Sequence, residues 1–202
     1  MKNIYIVRHG ETDFNKSSKM QGRGIDASIN AKGKEQAEAV ACFLKGKSIS
    51  QIITSSMKRA IESATPLSLQ TNITLESYAD LDEMSFGRLE GKPINEVEED
   101  LNDIQKHWNS GDLEFRCPDG ENPIEVFNRA NEKAIKLIEN SSSVNIVFVL
   151  HGRLIRVLLS EWLGLGLKNM NQIEHQNGAV NHLTWQKGMF KSINLNITEH
   201  LR

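Results

Sequence analysis

Three short, largely apolar and β-branched runs punctuate the chain: Ile4–Val7, Gln51–Thr54 and Val144–Leu150. The last, VNIVFVL, scarcely alternates, as expected of a strand covered on both faces within a parallel sheet. Between the runs the period lengthens. Across Asn30–Lys47 the apolar positions Ala37, Val40, Ala41 and Leu44 form one stripe, with Asn30 placed to cap it. From Asn122 to Glu139, Ile124, Phe127, Ala134 and Ile138 make a second stripe behind Pro123, a residue suited to a first helical turn. Leu154, Leu158, Leu159 and Leu163 follow the third run, and Gly164 and Gly166 stop the helix they imply. Strands alternating with such helices predict an α/β fold, a mostly parallel central sheet with helices on both faces. Near the end, Ala179–Trp185 and Met189–Asn196 flank Lys187-Gly188 and read as a hairpin added to that sheet. The stretch Glu76–Pro118 is acidic and irregular, with a helical pattern only from Pro93 to Trp108. It is expected to be an insertion over one edge of the sheet, inside a single domain of residues 1–202.

Composition narrows the partners. The chain of 202 residues is 39% hydrophobic and 25% charged, an ordinary globular balance, and is long enough for one substantial core. A net charge of −2 gives no general pull toward nucleic acid or an anionic membrane, so any anion affinity must be local. Cys42 and Cys117 form no spaced pair for a disulfide framework or a metal. The first residues lack a signal-peptide core and no run reaches membrane-spanning length, so the expected location is cytoplasmic. A monomer and a homodimer both stay open.

The chemistry concentrates where the strands end. In open α/β sheets ligands sit beyond the carboxyl ends of the strands. The first strand delivers Arg8 and His9, the second is followed by Ser55, Ser56 and Arg59, and the third delivers His151 and Gly152. Three cation-capable ends on one edge suit a small dianion such as phosphate: guanidinium forks match its oxygens, and glycine lets backbone N–H groups approach.

These residues lie in recognisable strings. RHGETDFN (Arg8–Asn15), MQGRGID (Met20–Asp26), GKEQA (Gly33–Ala37) and TSSMKRAIESA (Thr54–Ala64) are followed by LDEMSFGRLEG (Leu81–Gly91), PDGENPIEVFNR (Pro118–Arg129) and FVLHGRLIR (Phe148–Arg156). In content and order the chain resembles the histidine phosphatase superfamily, with its phosphoglycerate mutase-like fold, across nearly its whole length. The resemblance implies that His9 takes the phosphoryl group as a phosphohistidine, and that Arg8, Arg59 and His151 bind its oxygens. It further implies Glu83 as general acid and base, Asn15 as a phosphate-oxygen donor, and Gln21 and Gly22 lining the substrate side. Glu11 is expected to orient the site. The expected substrate is a small phosphorylated metabolite, with no cofactor and no metal, because the cationic groups already neutralise phosphate. His107, His175, His182 and His200 lack a shared motif and are expected outside the site, and the run Asn95–Asp100 to be a solvated helix face. Trp108, Trp162 and Trp185 are expected in the core or a pocket wall.

Departures from the family pattern refine the expectation. Met84-Ser85-Phe86 stands where mutases of this fold resemble Arg-His-Tyr, which favours the phosphatase branch over the mutase. A binding module that has lost catalysis should lack one member of the set, and none is missing. Met57 replaces a common proline and Ala27-Ser28 a Pro-Leu pair. Arg153 replaces the second glycine of His-Gly-Gly, placing a cation against the positive end of a helix. Its expected compensation is first a carboxylate from the acidic insertion, and second a further anionic group on the substrate.

Overall fold

The computed structural model describes residues 1–202. Six strands form one sheet: β1 (Lys2–Arg8), β2 (Gln51–Ser55), β3 (Leu75–Tyr78), β4 (Asn145–Leu150), β5 (Val180–Gln186) and β6 (Met189–Ile197), in the order β3-β2-β4-β1-β5-β6. The first four run parallel, with Val7 beside Val149 and Thr54 beside Val149 on its other flank. β5 runs antiparallel to β1, and β6 antiparallel to β5. Lys187 and Gly188 both take positive φ in the β5–β6 turn, the backbone that matches the twist of a tight hairpin.

The helices are α1 (Asp13–Lys16), α2 (Ala31–Leu44), α3 (Lys58–Thr71), α4 (Glu98–Ser110), α5 (Pro123–Asn140) and α6 (Gly152–Trp162). The expected cap on α2 forms, Asn30 accepting from the Gly33 N–H at 2.9 Å, and α5 starts at Pro123 behind a cap that the sequence reading did not single out, a reciprocal capping box of Asn122 with Glu125. Strand alternation divides the core. Tyr5, Val7, Val147 and Val149 pack with Val40 and Leu44 of α2 and Leu67 of α3. Ile4, Ile6, Ile146 and Phe148 pack on the other face with Ala130 and Ile138 of α5 and Leu154 and Leu158 of α6. Phe148 is 1% exposed, so cutting it to alanine would cost about 3–5 kcal/mol.

The segment expected as an insertion departs from that description at its start. Glu76, Ser77 and Tyr78 pair with Ile53, Thr54 and Ser55 as the edge strand β3. The strand is only four residues long and largely half-buried, so it lacks the hydrophobic run that would announce it. Beyond it, Leu81, Met84, Leu89, Ile104 and Trp108 cover α5 and α6 and join their core. Glu98, Glu99 and Asp100 form the exposed first turn of α4, favourable at a helix N-terminus. No helix is long and apolar enough to cross a membrane.

Candidate active site

Because β1, β2 and β4 are parallel, their carboxyl ends share one edge, and the apolar runs that make them strands bring Arg8, Ser55 and His151 there together. His9 extends β1 by donating its backbone N–H to Leu150 O at 3.0 Å. Its side chain is 3% exposed, and Nδ1 lies 2.7 Å from the Gly10 carbonyl oxygen. A carbonyl only accepts, so Nδ1 carries the proton and Nε2 keeps its lone pair. Burial, then the charges of Arg59 and Arg8, hold the His9 pKa well below its usual value, so the ring is neutral.

His151 lies across from His9, ring centroids 5.2 Å apart. Its Nδ1 accepts from Arg59 Nε at 3.1 Å, so in the neutral ring Nε2 donates to Ser55 Oγ, 2.6 Å away. Burial, Arg59 and the neighbouring His9 depress its pKa strongly. Both ring nitrogens are thus engaged within the protein, and the ring acts first on Arg59. The Arg59 guanidinium also donates to Ile25 O at 2.7 Å and Gly22 O at 3.3 Å. Gly22 therefore meets Arg59 through its carbonyl. A Cβ there would lie 2.2 Å from Glu90 Oε1 and 2.8 Å from Met84 O, so the loop must be glycine to close down. Asn15 Oδ1 is taken by Thr12 and by Asn177 Nδ2, while Gln21 Oε1 accepts from Thr12 Oγ1 at 2.8 Å. The Gln21 amide nitrogen is buried without a partner. Glu11 accepts from Asn30 Nδ2 at 2.9 Å.

Glu83, 5% exposed, is oriented by backbone. Its Oε1 accepts from the N–H groups of Met84 and Leu154, both at 2.9 Å, and its Oε2 from that of Arg153 at 3.0 Å. The carboxylate thus caps α6, whose own N-cap residue, His151, makes no side-chain cap. Arg129 fixes the loop behind it. Its guanidinium donates to the carbonyls of Asp80, Asp82 and Glu83 at 2.8, 2.9 and 3.1 Å, and to both oxygens of Glu121.

Two residues that the sequence did not bring to the site lie beside it: His175, expected outside it, and Asn177, which no pattern singled out. His175 approaches Arg8 with Nδ1 3.4 Å from Nη1, and its carbonyl accepts from the same nitrogen at 3.2 Å. Burial first, then Arg8 and Arg156, push its pKa down to about 3. Asn177 donates to His9 O at 3.0 Å as well as to Asn15. Both lie in the loop leading into β5. An antiparallel strand brings its beginning to the edge where parallel strands end, so the predicted hairpin was the signal that could have found them. A Cβ on Gly152 would lie 3.2 Å from His175 Cε1 and 3.4 Å from Arg8 Cζ, which places Gly152 between the two side chains.

Arg153 meets its expectation in part. Glu83, a carboxylate of the insertion, accepts from its backbone N–H and favours its charge at longer range, but no carboxylate pairs directly with its guanidinium. The side chain donates to Asn171 Oδ1 at 2.7 Å and lies over the Trp108 ring, 5.3 Å from the centroid. Burial and Arg156 lower its pKa to about 10. No group of three or more His, Cys, Asp or Glu side chains assembles into a metal-holding cluster.

An imidazole of fixed tautomer at a parallel-strand end, faced by arginines and a second histidine, makes this edge the candidate site for a phosphate-sized anion. Residues 4–198 match the histidine phosphatase superfamily (branch 1), and the chain belongs to that family. Among its relatives, a Hydrogenobacter thermophilus protein named "Putative phosphoserine phosphatase 2" is 27% identical over all of this chain and 98% of its own. A Citrobacter koseri protein named "Probable phosphoglycerate mutase GpmB" is 27% identical over 94% of this chain and 88% of its own. In fold, the chain is similar to YhfR of Bacillus stearothermophilus, with a TM-score of 0.91, 24% identity and full coverage of both chains. A mycobacterial glucosyl-3-phosphoglycerate phosphatase superposes with a TM-score of 0.88 at 24% identity, covering 97% of this chain and 99% of that one.

Proposed function

We propose that the protein is a metal-independent phosphomonoesterase that hydrolyses small phosphorylated metabolites through a phosphohistidine on His9. The observation that carries this reading is the His9 tautomer: the 2.7 Å bond from Nδ1 to Gly10 leaves an unprotonated Nε2 in a neutral ring beside two guanidiniums. Nε2 attacks phosphorus as the bond to the leaving oxygen breaks, and Glu83 gives that oxygen a proton. Water then attacks phosphorus, Glu83 takes a proton from it, and the P–N electron pair returns to Nε2. Three N–H bonds occupy two acceptor positions on Glu83 Oε1 and one on Oε2, so Oε2 is the oxygen that carries the exchanged proton. Arg8 and Arg59 follow the phosphoryl charge into the transition state, where most catalysis of this reaction resides. His151 holds Arg59 in line. Asn15, Gln21, Gly22 and Gly152 line the approach, and the unpartnered Gln21 amide supplies a donor there.

Hydrolysis is favoured over mutase transfer because Met84 and Phe86 are buried in the core. They offer no polar group to a second substrate position. Rapid quenching with p-nitrophenyl phosphate should trap an acid-labile, base-stable phosphoenzyme, unaffected by prior chelation of divalent metals. His9→Ala should abolish it and lower turnover ~10³-fold or more. Near-normal turnover by that variant would refute the covalent route, and loss of activity on chelation would refute metal independence. Interconversion of phosphoglycerates faster than phosphate release would establish the mutase instead.

A further inference from the structure

Gly10 lies between two peptide units, and three of their four polar groups are tied to side chains from elsewhere in the chain. In the unit from His9 to Gly10, the carbonyl accepts from Asn177 Nδ2 at 3.0 Å and the N–H donates to Ser63 Oγ at 2.9 Å. In the unit from Gly10 to Glu11, the N–H donates to Gln36 Oε1 at 2.8 Å. Only the Gly10 carbonyl remains, and it is the acceptor for His9 Nδ1. The ring's partner and the partner of Gln36 are therefore opposite ends of one planar trans amide. Whatever turns that plane moves the oxygen that selects the His9 tautomer.

Gln36 reaches this amide because α2 begins against it. A Cβ on Gly10 would run into the Gly33 carbonyl, and one on Gly33 would lie 2.8 Å from Glu11 N, so the two backbones meet with no side chain between them. Gln36 stands three residues beyond Gly33, on the same face of the helix. Asn30 takes up the rest of Glu11: its N–H holds the Glu11 carbonyl at 2.8 Å, and its Nδ2 the carboxylate at 2.9 Å. The Glu11 N–H is left for Gln36. An N–H only donates, so it is the oxygen of the Gln36 amide that faces it. The half-buried Gln36 is also backed by Gly178, whose N–H donates to Arg8 O at 3.0 Å; a Cβ there would lie 3.1 Å from Gln36 Cβ. The bond acts through charge as well as position. Donation to Gln36 draws electron density onto Gly10 O and strengthens its hold on the Nδ1 proton.

We infer that Gln36 is a positioning residue for the nucleophile: through the Gly10–Glu11 amide it holds His9 as the Nδ1–H tautomer and keeps Nε2 free to attack. It touches neither substrate nor reacting atoms. Its effect on rate rests on the phosphatase reading above, whereas its effect on the ring does not.

Gln36→Met removes the acceptor at nearly constant length, and Gln36→Glu keeps one. Rates of phosphoenzyme formation from p-nitrophenyl phosphate, normalised to burst amplitude, separate a slower site from a smaller folded fraction. The saturating rate should fall ~5–10-fold in Gln36→Met, the worth of one hydrogen bond, with half-saturation changed less than ~2-fold. Gln36→Glu should recover most of that loss. In nitrogen NMR of isotope-labelled histidine, the His9 signal is identified by its loss in His9→Ala. It should report Nδ1–H alone in wild type and a share of Nε2–H in Gln36→Met. Hydrogen exchange of the wild-type protein needs no variant to fold, and the Glu11 amide should exchange far more slowly than exposed loop amides. An unchanged tautomer or saturating rate in Gln36→Met, a loss carried by half-saturation, or no recovery in Gln36→Glu overturns the assignment. So does a Glu11 amide that exchanges as fast as exposed loops. If wild type yields no phosphoenzyme, it is the phosphatase reading that fails, and the tautomer comparison still decides the role of Gln36.

Discussion

Replacing Arg129 with methionine should damage both stability and the Glu83-dependent step, and the structure sets the scale. The side chain is 16% exposed and its partner Glu121 18%. The substitution removes two charge-assisted bonds to that carboxylate and three bonds to the carbonyls of the loop that carries Glu83. Breaking a buried pair from one side costs about 3–5 kcal/mol. Glu121 retains Arg23 at 3.7 Å and the Ser85 N–H at 2.8 Å, so the low end, about 3 kcal/mol, is expected. Arg129→Met with Glu121→Gln should recover ~1 kcal/mol or more, because no stranded charge remains. The pH dependence has a definite sign. Burial alone would raise the Glu121 pKa, but hydrogen bonds and charge from Arg129 bring it below the usual range. The stability it contributes is present above the unfolded value, about 4.3, and is lost as pH falls through the folded value. Urea unfolding of wild type and variant at pH 7 and pH 3.5 should therefore show a gap that narrows in acid. Single-turnover rates should fall more for alkyl phosphates than for p-nitrophenyl phosphate, whose leaving group needs no proton. A stability loss below 1 kcal/mol, a gap of equal size at both pH values, or equal kinetic losses on both substrates would refute the positioning argument.

Glu83→Gln, measured in phosphoenzyme formation, should slow alkyl phosphates ~10²-fold more than p-nitrophenyl phosphate, and equal losses would remove it from the acid role. Gly33→Ala should destabilise the fold by about 1–3 kcal/mol and lower turnover. Its Cβ would lie 2.3 Å from Glu11 O, and Gly33 backbone already abuts Gly10, the acceptor for His9; wild-type activity and melting in that variant would contradict this. His9, His151 and His175 all have depressed folded pKa values, so the unfolded chain binds protons near pH 6.5 that the folded one excludes. Their full stability holds above about pH 6.5 and falls below it by up to ~1.4 kcal/mol per unit for each ring, for His175 down to about 3. A urea midpoint that stays flat from pH 6.5 to pH 5 would show that these rings are not held neutral.

Three of the four parallel strands, the periodic helices and the string around His9 could be read directly from the chain, because each depends on local pattern. Buried apolar runs mark β1 and β4, Asn30 marks the start of α2 and Pro123 that of α5, and Arg8 with His9 fall where β1 ends. β3 could not be read this way: four half-buried residues become a strand only because β2 offers an edge to pair with. His175 and Asn177 carry no motif and lie more than 160 residues from Arg8 and Asn15. The reversal of β5 relative to β1 puts them in the site. Arg153 shows the same limit in its partner. Its position after His151 was evident, yet its dependence on Trp108 and Asn171 arises from how α4 and the 167–172 turn pack over α6. Local sequence determines which element a residue joins and where that element stops. Which ends meet, and which charges are left without a counter-charge, depends on contacts between segments far apart in the chain, and those exist only once the sheet has assembled.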